Sequence, residues 1–439
     1  METTLLKNTL AELIADFYEN PLPEMTRRQT VIPEVLRCAT VVLGMRRTGK
    51  TFLLYQRMNE LLAVGTPKDR ILHLNFEDDR LIGMTSDDLR YVPEVYYQMF
   101  PDNHGKLCYF FFDEIQNIDH WESFIRRMVD TPNVQVYLSG SSAKLLSKEV
   151  ATAMRGRAVE IENLPFSFEE FLLHHNIFES VPRNLSGASR SKLQNAMDQY
   201  FHIGGMPAVQ DVPDTVRASM LQGYVNTVIY KDVVERHNIQ NSQALKFTIQ
   251  MVFNNPARQI SVRKIADYLQ SQQTAASRES VADYLDWLSD AYLLHKLELH
   301  TESAMKRRVN PGKYYLNDVG IVRAMRIKHS LDQGPLLENL VYLHLRRLGF
   351  QMEYLNTSDG SEVDFIAFHP LRNDYHLVQV CFDMSSRTTF EREVSALKDA
   401  ATILGVKKRY IVTWDYGAVL PDDIQVVPAW KFLLSNLPE

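Results

Sequence analysis

Four short apolar runs punctuate the first 140 residues: Thr40–Leu43, the ILHL of residues 71–74, Leu107–Phe112 and the VQVYL of residues 134–138. Each is short and apolar almost throughout, the pattern of strands buried on both faces of a parallel sheet. Phe52–Leu62, after the first run, has apolar positions at helical spacing. Residues 166–240 read as helices with one turn at Gly204–Pro207, where the glycines allow a bend and Pro207 stops a helix. Residues 241–317 hold three amphipathic helices: SQALKFTIQMVFNN, SVRKIADYL with Ser261 as N-cap, and SRESVADYLDWLSDAYLL. Two strand-like runs, HKLELH and KYYLND, follow. From 319 onward the pattern is α/β: PLLENLVYLHLRRLG and TFEREVSALKDAATILG are helical, while QMEYLN, EVDFIAFH, DYHLVQVCF and RYIVTW are strands. No apolar run approaches the roughly 20 residues of a membrane helix. The first 20 residues mix acids into an amphipathic pattern, so neither a membrane span nor a signal peptide is expected.

Between the first strand and its helix lies Gly44-Met45-Arg46-Arg47-Thr48-Gly49-Lys50-Thr51, a full match to G-x-x-x-x-G-K-[ST] in strand–loop–helix context. The chemistry needs these residue types. Gly44 and Gly49 let backbone N–H groups wrap phosphates without a Cβ in the way. The helix N-terminus adds partial positive charge. Lys50 is placed for the β- and γ-phosphates and Thr51 for Mg2+, so ATP and Mg2+ are the expected ligands.

Such a loop needs an acid beside it. Leu107–Phe112 ends in Asp113-Glu114, at the carboxyl end where ligands of parallel sheets bind. Asp113 is expected to hold Mg2+ through water, and Glu114 to polarise the attacking water. The alternative is a pair that caps the next helix. The fourth run ends in Ser139-Gly140-Ser141-Ser142. Ser141 and Ser142 are the candidates for sensing the γ-phosphate, with a plain helix N-cap as the alternative. Arg155 and Arg157, in MRGRAVEIENL, are candidate arginine fingers, in cis or toward a neighbouring chain. A solvated or salt-bridged Arg is the alternative for each.

In this order GMRRTGKT, NFEDD, FFDEIQ, SGSSAKLL, RGR and LPFSFEEF resemble a bacterial and archaeal family of AAA-type P-loop ATPases. Its members carry a C-terminal domain of unknown function with a restriction-endonuclease-like end. The likeness continues through YFHIGGMPAV and YVNTVIYKDVVERHNI. It implies an AAA-like core followed by a helical segment, and leaves the cellular role open. The expected fold class is α/β: a P-loop (AAA-like) parallel sheet core over 1–165, a helical lid or linker over 166–240, a winged helix over 241–318, and a PD-(D/E)XK-like α/β domain over 319–439.

Composition changes this picture in two places. The net charge of −6 argues against bulk electrostatic attraction to nucleic acid, but leaves room for a local basic patch. Lys306-Arg307-Arg308, at the expected wing tip, is that patch, and the third helix begins at Ser277-Arg278-Glu279-Ser280. Recognition helices touch bases with their N-terminal residues and wings touch phosphates. Asp283, Asp286 and Asp290 further along the helix would repel a duplex. Duplex DNA and a protein partner are therefore both open, as is an oligomer. Cys38, Cys108 and Cys381 are isolated in apolar surroundings, as free thiols of a cytoplasmic protein are. They lack metal-ligand spacing.

Glu338 on a helix, Asp364 on a strand and Gln379-Val380-Cys381 on the next strand resemble the layout of a PD-(D/E)XK endonuclease. In that fold the Asp and a second acid ligate Mg2+, and a Lys stabilises charge on the phosphate. Glu338 and Asp364 match by type. Gln379 takes the second acid's place and keeps an oxygen. Cys381 takes the Lys place and supplies no charge, and no other Lys is evident nearby. The domain is thus expected to keep the fold without cutting nucleic acid. In the plainer reading Cys381 packs in a core and the two acids serve as caps or ion pairs. The expected function is ATP hydrolysis with Mg2+, coupling nucleotide state to binding of DNA or a protein partner. The rivals are a nucleotide-gated scaffold with little turnover and an ATP-dependent DNA nuclease.

Overall fold

The structure is a computed structural model. It describes residues 2–140, 154, 156–180, 185–274, 276–326, 332–357, 360–415, 418–420 and 424–437, apart from the side chains of 304, 308, 309, 418 and 419. The chain divides into two compact units, Met1–Asn163 and Leu164–Glu439.

The first unit is built on five strands: β1 (Ala39–Leu43), β2 (Ile71–Asn75), β3 (Cys108–Asp113), β4 (Val134–Ser139) and β5 (Ala158–Glu162). Their spatial order is β2-β3-β4-β1-β5 and every pairing is parallel. β1, β3 and β4 are buried along their whole length, which is why they are apolar without alternation. Side chains of β3 serve both faces in turn. Phe111 stacks on Tyr137 at 4.5 Å, in a core shared with Leu53, Leu54 and Met58 of α2 (Lys50–Ala63). Phe110 and Phe112 point the other way, to Tyr96 of α3 (Tyr91–Met99) and Phe124 of α4 (Glu122–Asp130). An N-terminal helix, α1 (Thr3–Glu19), precedes β1. Because β4 separates β1 from β3, the carboxyl ends of all three strands meet at one edge, where the connections reverse direction and ligands of such sheets bind.

The second unit opens with α5 (Phe168–His174), whose start carries a reciprocal cap between Ser167 and Glu170. Then come α6 (Gly187–Ile203) and α7 (Asp214–Thr227), the latter continued by a π-helical stretch, Val228–Val234. Next are α8 (Ser242–Asn254), β6 (Arg258–Ile260), α9 (Val262–Ser271), α10 (Arg278–Asp290), β7 (Leu294–Leu297), a short α11 (Ala304–Val309) and β8 (Gly312–Leu316). The three strands form an antiparallel sheet in the order β6-β8-β7.

After α12 (Val319–Met325) the chain runs α13 (Gln333–Arg347), β9 (Gln351–Asn356), β10 (Glu362–His369), β11 (Asp374–Val380), α14 (Arg387–Leu404), β12 (Lys408–Thr413), β13 (Ala418–Val419) and β14 (Ile424–Pro428). The sheet order is β13-β14-β12-β11-β10-β9. β9, β10 and β11 are antiparallel, and β11, β12 and β14 run parallel. Leu397 and Ala400 of α14 pack on Leu377, Ile411 and Ile424 of the sheet. α13 is fastened to β8 by Asn339, whose amide accepts from Leu316 N at 2.7 Å and donates to Leu316 O at 2.8 Å.

One expectation for this region needs correction. The expected two-stranded ribbon forms, β7 pairing antiparallel with β8, but β7 stops at Leu297 and the chain then bridges to β9 through Leu299 and Tyr354. Lys306, Arg307 and Arg308 lie in the connection from β7 to β8, as expected, but on the helix α11 rather than on an extended tip. Ser303 caps that helix by accepting from Lys306 N, and Ala-Met-Lys-Arg-Arg are all good helix formers.

Candidate functional site

The loop between β1 and α2 has the backbone its sequence demands. Gly44 and Gly49 have φ of +148° and +89°, and Arg47 also turns left-handed at +68°. Thr48 Oγ1 donates to Met45 O at 2.9 Å, closing the turn. Met45 and Thr48 are buried. Arg46 lies 3.9 Å from Glu77, which follows β2. The Lys50 ammonium curls over the loop and donates to the carbonyls of Gly44 and Met45, both at 3.2 Å. Thr51, in the first turn of α2, donates its hydroxyl to Asp113 Oδ2 at 2.6 Å. The sheet thus delivers the acid of β3 to the hydroxyl of α2 across the intervening strand.

That strand contributes too. Ser139, the last residue of β4, donates its hydroxyl to Asp113 Oδ1. Burial pushes the Asp113 carboxyl up to about 7; the Thr51 hydroxyl and Lys50 oppose the rise, and Glu114 adds to it. A buried carboxylate and a hydroxyl are the hard oxygen donors that Mg2+ takes, so this pair fits that ion. Glu114 is at positive φ (+52°), which turns it away from the strand line, and Gln116 Nε2 donates to its carboxylate.

Sequence reasoning missed three residues here. Ser139 holds the strand-end position for which Ser141 and Ser142 were the candidates; those two lie outside the described residues, as does Arg155. Asn163, just past β5, donates to Thr48 O at 2.9 Å, and its own carbonyl stands 2.5 Å from where a Cβ on Gly44 would be. Arg28 is buried and donates to the same Thr48 carbonyl at 3.0 Å. No local pattern marks a buried Arg in a connecting segment, whereas Ser139 was legible as the polar end of an apolar run. Arg157 needs correction as a finger for this chain's own site. It precedes β5, at the amino end of the parallel sheet opposite to the loop, and pairs with Asp130.

A family model described as an AAA domain matches residues 37–172, and one described as a domain of unknown function matches residues 194–332. The uncharacterized protein MJ1544 of Methanocaldococcus jannaschii is 35% identical over 339 residues, covering 74% of each chain. The chain belongs to the family of this archaeal protein. An uncharacterized protein of Haemophilus influenzae is 28% identical over 339 residues, covering 77% of this chain and 80% of that one. Among solved structures, the Walker-type ATPase PABY2304 of Pyrococcus abyssi matches with a TM-score of 0.43 at 16% identity, over 73% of this chain and 95% of that one. The match of the AAA-domain model to residues 37–172, with the loop geometry above, makes the first unit a P-loop, AAA-type fold, one that generally binds ATP.

In the second unit the basic run is partly engaged. Arg307 pairs with Glu353 of β9 at 3.1 Å and donates to Thr301 O at 3.0 Å. Lys306 is exposed, and the side chain of Arg308 lies outside those described.

The nuclease-like residues do converge, but in altered roles. Asp364 of β10 and Glu338 of α13 both contact Lys313 of β8, at 3.1 and 2.9 Å. This corrects the expectation that no Lys is near. Gln379 does not offer its oxygen to the cluster: that oxygen accepts from Asp364 N at 3.1 Å, and its amide nitrogen donates to Glu393 at 2.6 Å. Cys381 packs with Val363, Leu377 and Leu397, and its thiol donates to Asp383 O at 3.2 Å. Burial pushes that thiol up to about 11. It is a core residue, as the plainer reading had it.

Proposed function

We propose that this chain binds ATP with Mg2+ at Gly44–Thr51 and hydrolyses it, using nucleotide state to control binding of DNA or a protein partner. The observation that carries this reading is the meeting of Thr51, Asp113 and Ser139 beside Lys50. Lys50, leaving the carbonyls of Gly44 and Met45, would bind the β- and γ-phosphates. Thr51 and Asp113 would hold Mg2+, which when bound supplies positive charge to the phosphoryl oxygens. Glu114 would take the proton of the attacking water, and Ser139 would orient the γ-phosphate. We divide the chain functionally as 1–165, 166–240, 241–318 and 319–439. Three helices and the antiparallel sheet β6-β8-β7 support reading the third segment as a winged helix, and its third helix and basic α11 support a role in partner or duplex binding. No described helix is long and apolar enough to cross a membrane. The free thiols Cys38, Cys108 and Cys381 support a cytoplasmic setting. We assign no nuclease activity to residues 319–439.

The test is phosphate release. Wild type should turn over ATP, Lys50→Ala should not, and Glu114→Gln should retain bound ATP because water activation is lost while the cradle remains. Equal release by wild type and Lys50→Ala would sink the enzyme reading. A second reading, a nucleotide-gated scaffold with little turnover, is favoured by the hydrogen bond that ties Glu114 to Gln116. Single-turnover kinetics with and without duplex DNA separate the two readings.

A further inference from the structure

The restriction-endonuclease-like order of α13–β9–β10–β11–α14–β12 implies a divalent cation between the helix acid and the strand acid. The residues present do not fit one. The Lys313 ammonium stands among three carboxylates, 2.9 Å from Glu338, 3.1 Å from Asp364 and 2.6 Å from Glu362, and its side chain is 3% exposed. The carboxylates have other donors as well. Tyr315 donates at 2.7 Å to the same Glu338 oxygen that Lys313 contacts, while the second oxygens of Asp364 and Glu362 accept from Val380 N at 2.9 Å and from Gln259 at 2.8 Å. Among the described residues no group of three His, Cys, Asp or Glu side chains is arranged to hold a metal ion, this trio of carboxylates included.

We propose that Lys313 closes the nuclease-type site from within: its ammonium takes the position of the divalent cation between Glu338 and Asp364, so the domain binds neither Mg2+ nor Mn2+ there. Three facts carry this. The ammonium draws Glu338, Glu362 and Asp364 together, each within 3.1 Å of it. Burial opposes the charge on Lys313, but the three carboxylates outweigh it and keep the group protonated. Gln379, in the place of the second acid, supplies no charge and has its oxygen turned to the backbone of β10. Since Lys313 is on β8, Glu338 on α13 and Asp364 on β10, the same ammonium ties three elements together. Its role is that of a structural cation, which a soluble metal cannot displace while the lysine stays charged and buried.

The experiment is Mn2+ binding to the full chain without nucleotide, read by electron paramagnetic resonance, for wild type, Asp364→Asn, Lys313→Met and the double variant. Methionine keeps the stem's volume and removes the charge. Wild type and Asp364→Asn should give the same isotherm. Lys313→Met should gain one Mn2+ per chain, and Asp364→Asn in that background should remove it. The variant's lowered melting temperature should rise with Mn2+, a response the wild type lacks. A wild-type Mn2+ site lost on Asp364→Asn would overturn the proposal, as would a folded Lys313→Met that gains none. Should Lys313→Met fail to fold even with Mn2+, wild type against Asp364→Asn and Glu338→Gln decides: unchanged Mn2+ binding supports the proposal and lost binding overturns it. None of these arms depends on ATP turnover, so failure here leaves the ATPase reading standing.

Discussion

The Thr51 hydroxyl donates to Asp113 Oδ2 across 2.6 Å, joining the first turn of α2 to the carboxyl end of β3. Ser139 holds the other oxygen of the same carboxylate. Asp113→Asn keeps the size and an accepting oxygen but removes the charge a cation needs. It should cut phosphate release by about 10²–10³-fold, the effect typical of losing one preorganised electrostatic group. Nucleotide binding measured in chelator, with no free divalent ion, should change little. Wild-type turnover by Asp113→Asn at limiting Mg2+ would remove Asp113 from this role.

Gly44 is the loop residue with no room to change. Its φ of +148° and a Cβ position 2.5 Å from the Asn163 carbonyl put both strain and a clash against backbone on any side chain. Gly44→Ala should lower stability by about 1–3 kcal/mol and abolish nucleotide binding, because the loop must move away from Asn163. Gly65 is the control, with φ of +89° and nothing within 4 Å of its Cβ position. Gly65→Ala should leave nucleotide affinity unchanged in calorimetric titration.

The strands and the loop were legible in sequence because their signals are local. An unbroken apolar run followed by Gly44–Thr51, or by Asp113-Glu114, states both the element and the end of it that matters. Lys313 was illegible for the opposite reason: it lies 51 residues before Asp364 in the chain and meets it only because the fold fastens α13 to β8 and brings β10 within reach of the Lys313 side chain. Cys381 stood at the spacing a Lys would have, and spacing alone could not tell a site position from a core position. Only the packing of α14 over Val363 and Leu377 decides it. The helix under the basic run was not foreseen because HKLELH reads as one strand leading to a tip, whereas its second half bridges to β9 through Leu299.

Asp318 predicts a pH dependence. Its carboxylate, fully buried, accepts from Ile321 N at 3.0 Å and from Gly205 N at 2.5 Å, tying the end of α6 to the start of α12. Burial pushes it up to about 6, against the opposing backbone hydrogen bonds. The folded state therefore holds this proton more tightly than the unfolded chain does. The stabilisation it brings is fully present below the unfolded value near 4 and is lost as pH rises through about 6. Over that window the loss is about 3 kcal/mol, at roughly 1.4 kcal/mol per unit. Asp318→Asn should be less stable at every pH, but the gap between its denaturation midpoint and the wild type's should narrow from pH 4 to pH 7. A constant gap would show that Asp318 does not titrate in this range.

The basic run on α11 gives the last prediction, because its members are not equivalent. Arg307 is half-exposed but committed to Glu353 at 3.1 Å, and Glu353 also pairs with His300 at 2.6 Å. Lys306 is exposed. If residues 241–318 grip a duplex through α11, each phosphate that a variant no longer neutralises should lower the slope of log affinity against log salt by about 0.9. Lys306→Gln should therefore flatten the slope. Arg307→Gln should leave the slope unchanged and cost at most about 1 kcal/mol of stability, the usual worth of a part-exposed ion pair. Anisotropy of a labelled duplex across a salt series, with and without ATP, reads both. Equal flattening by the two variants would mean that Arg307 releases Glu353 when DNA arrives. A duplex that binds neither wild type nor variant at low salt would assign α11 to a protein partner.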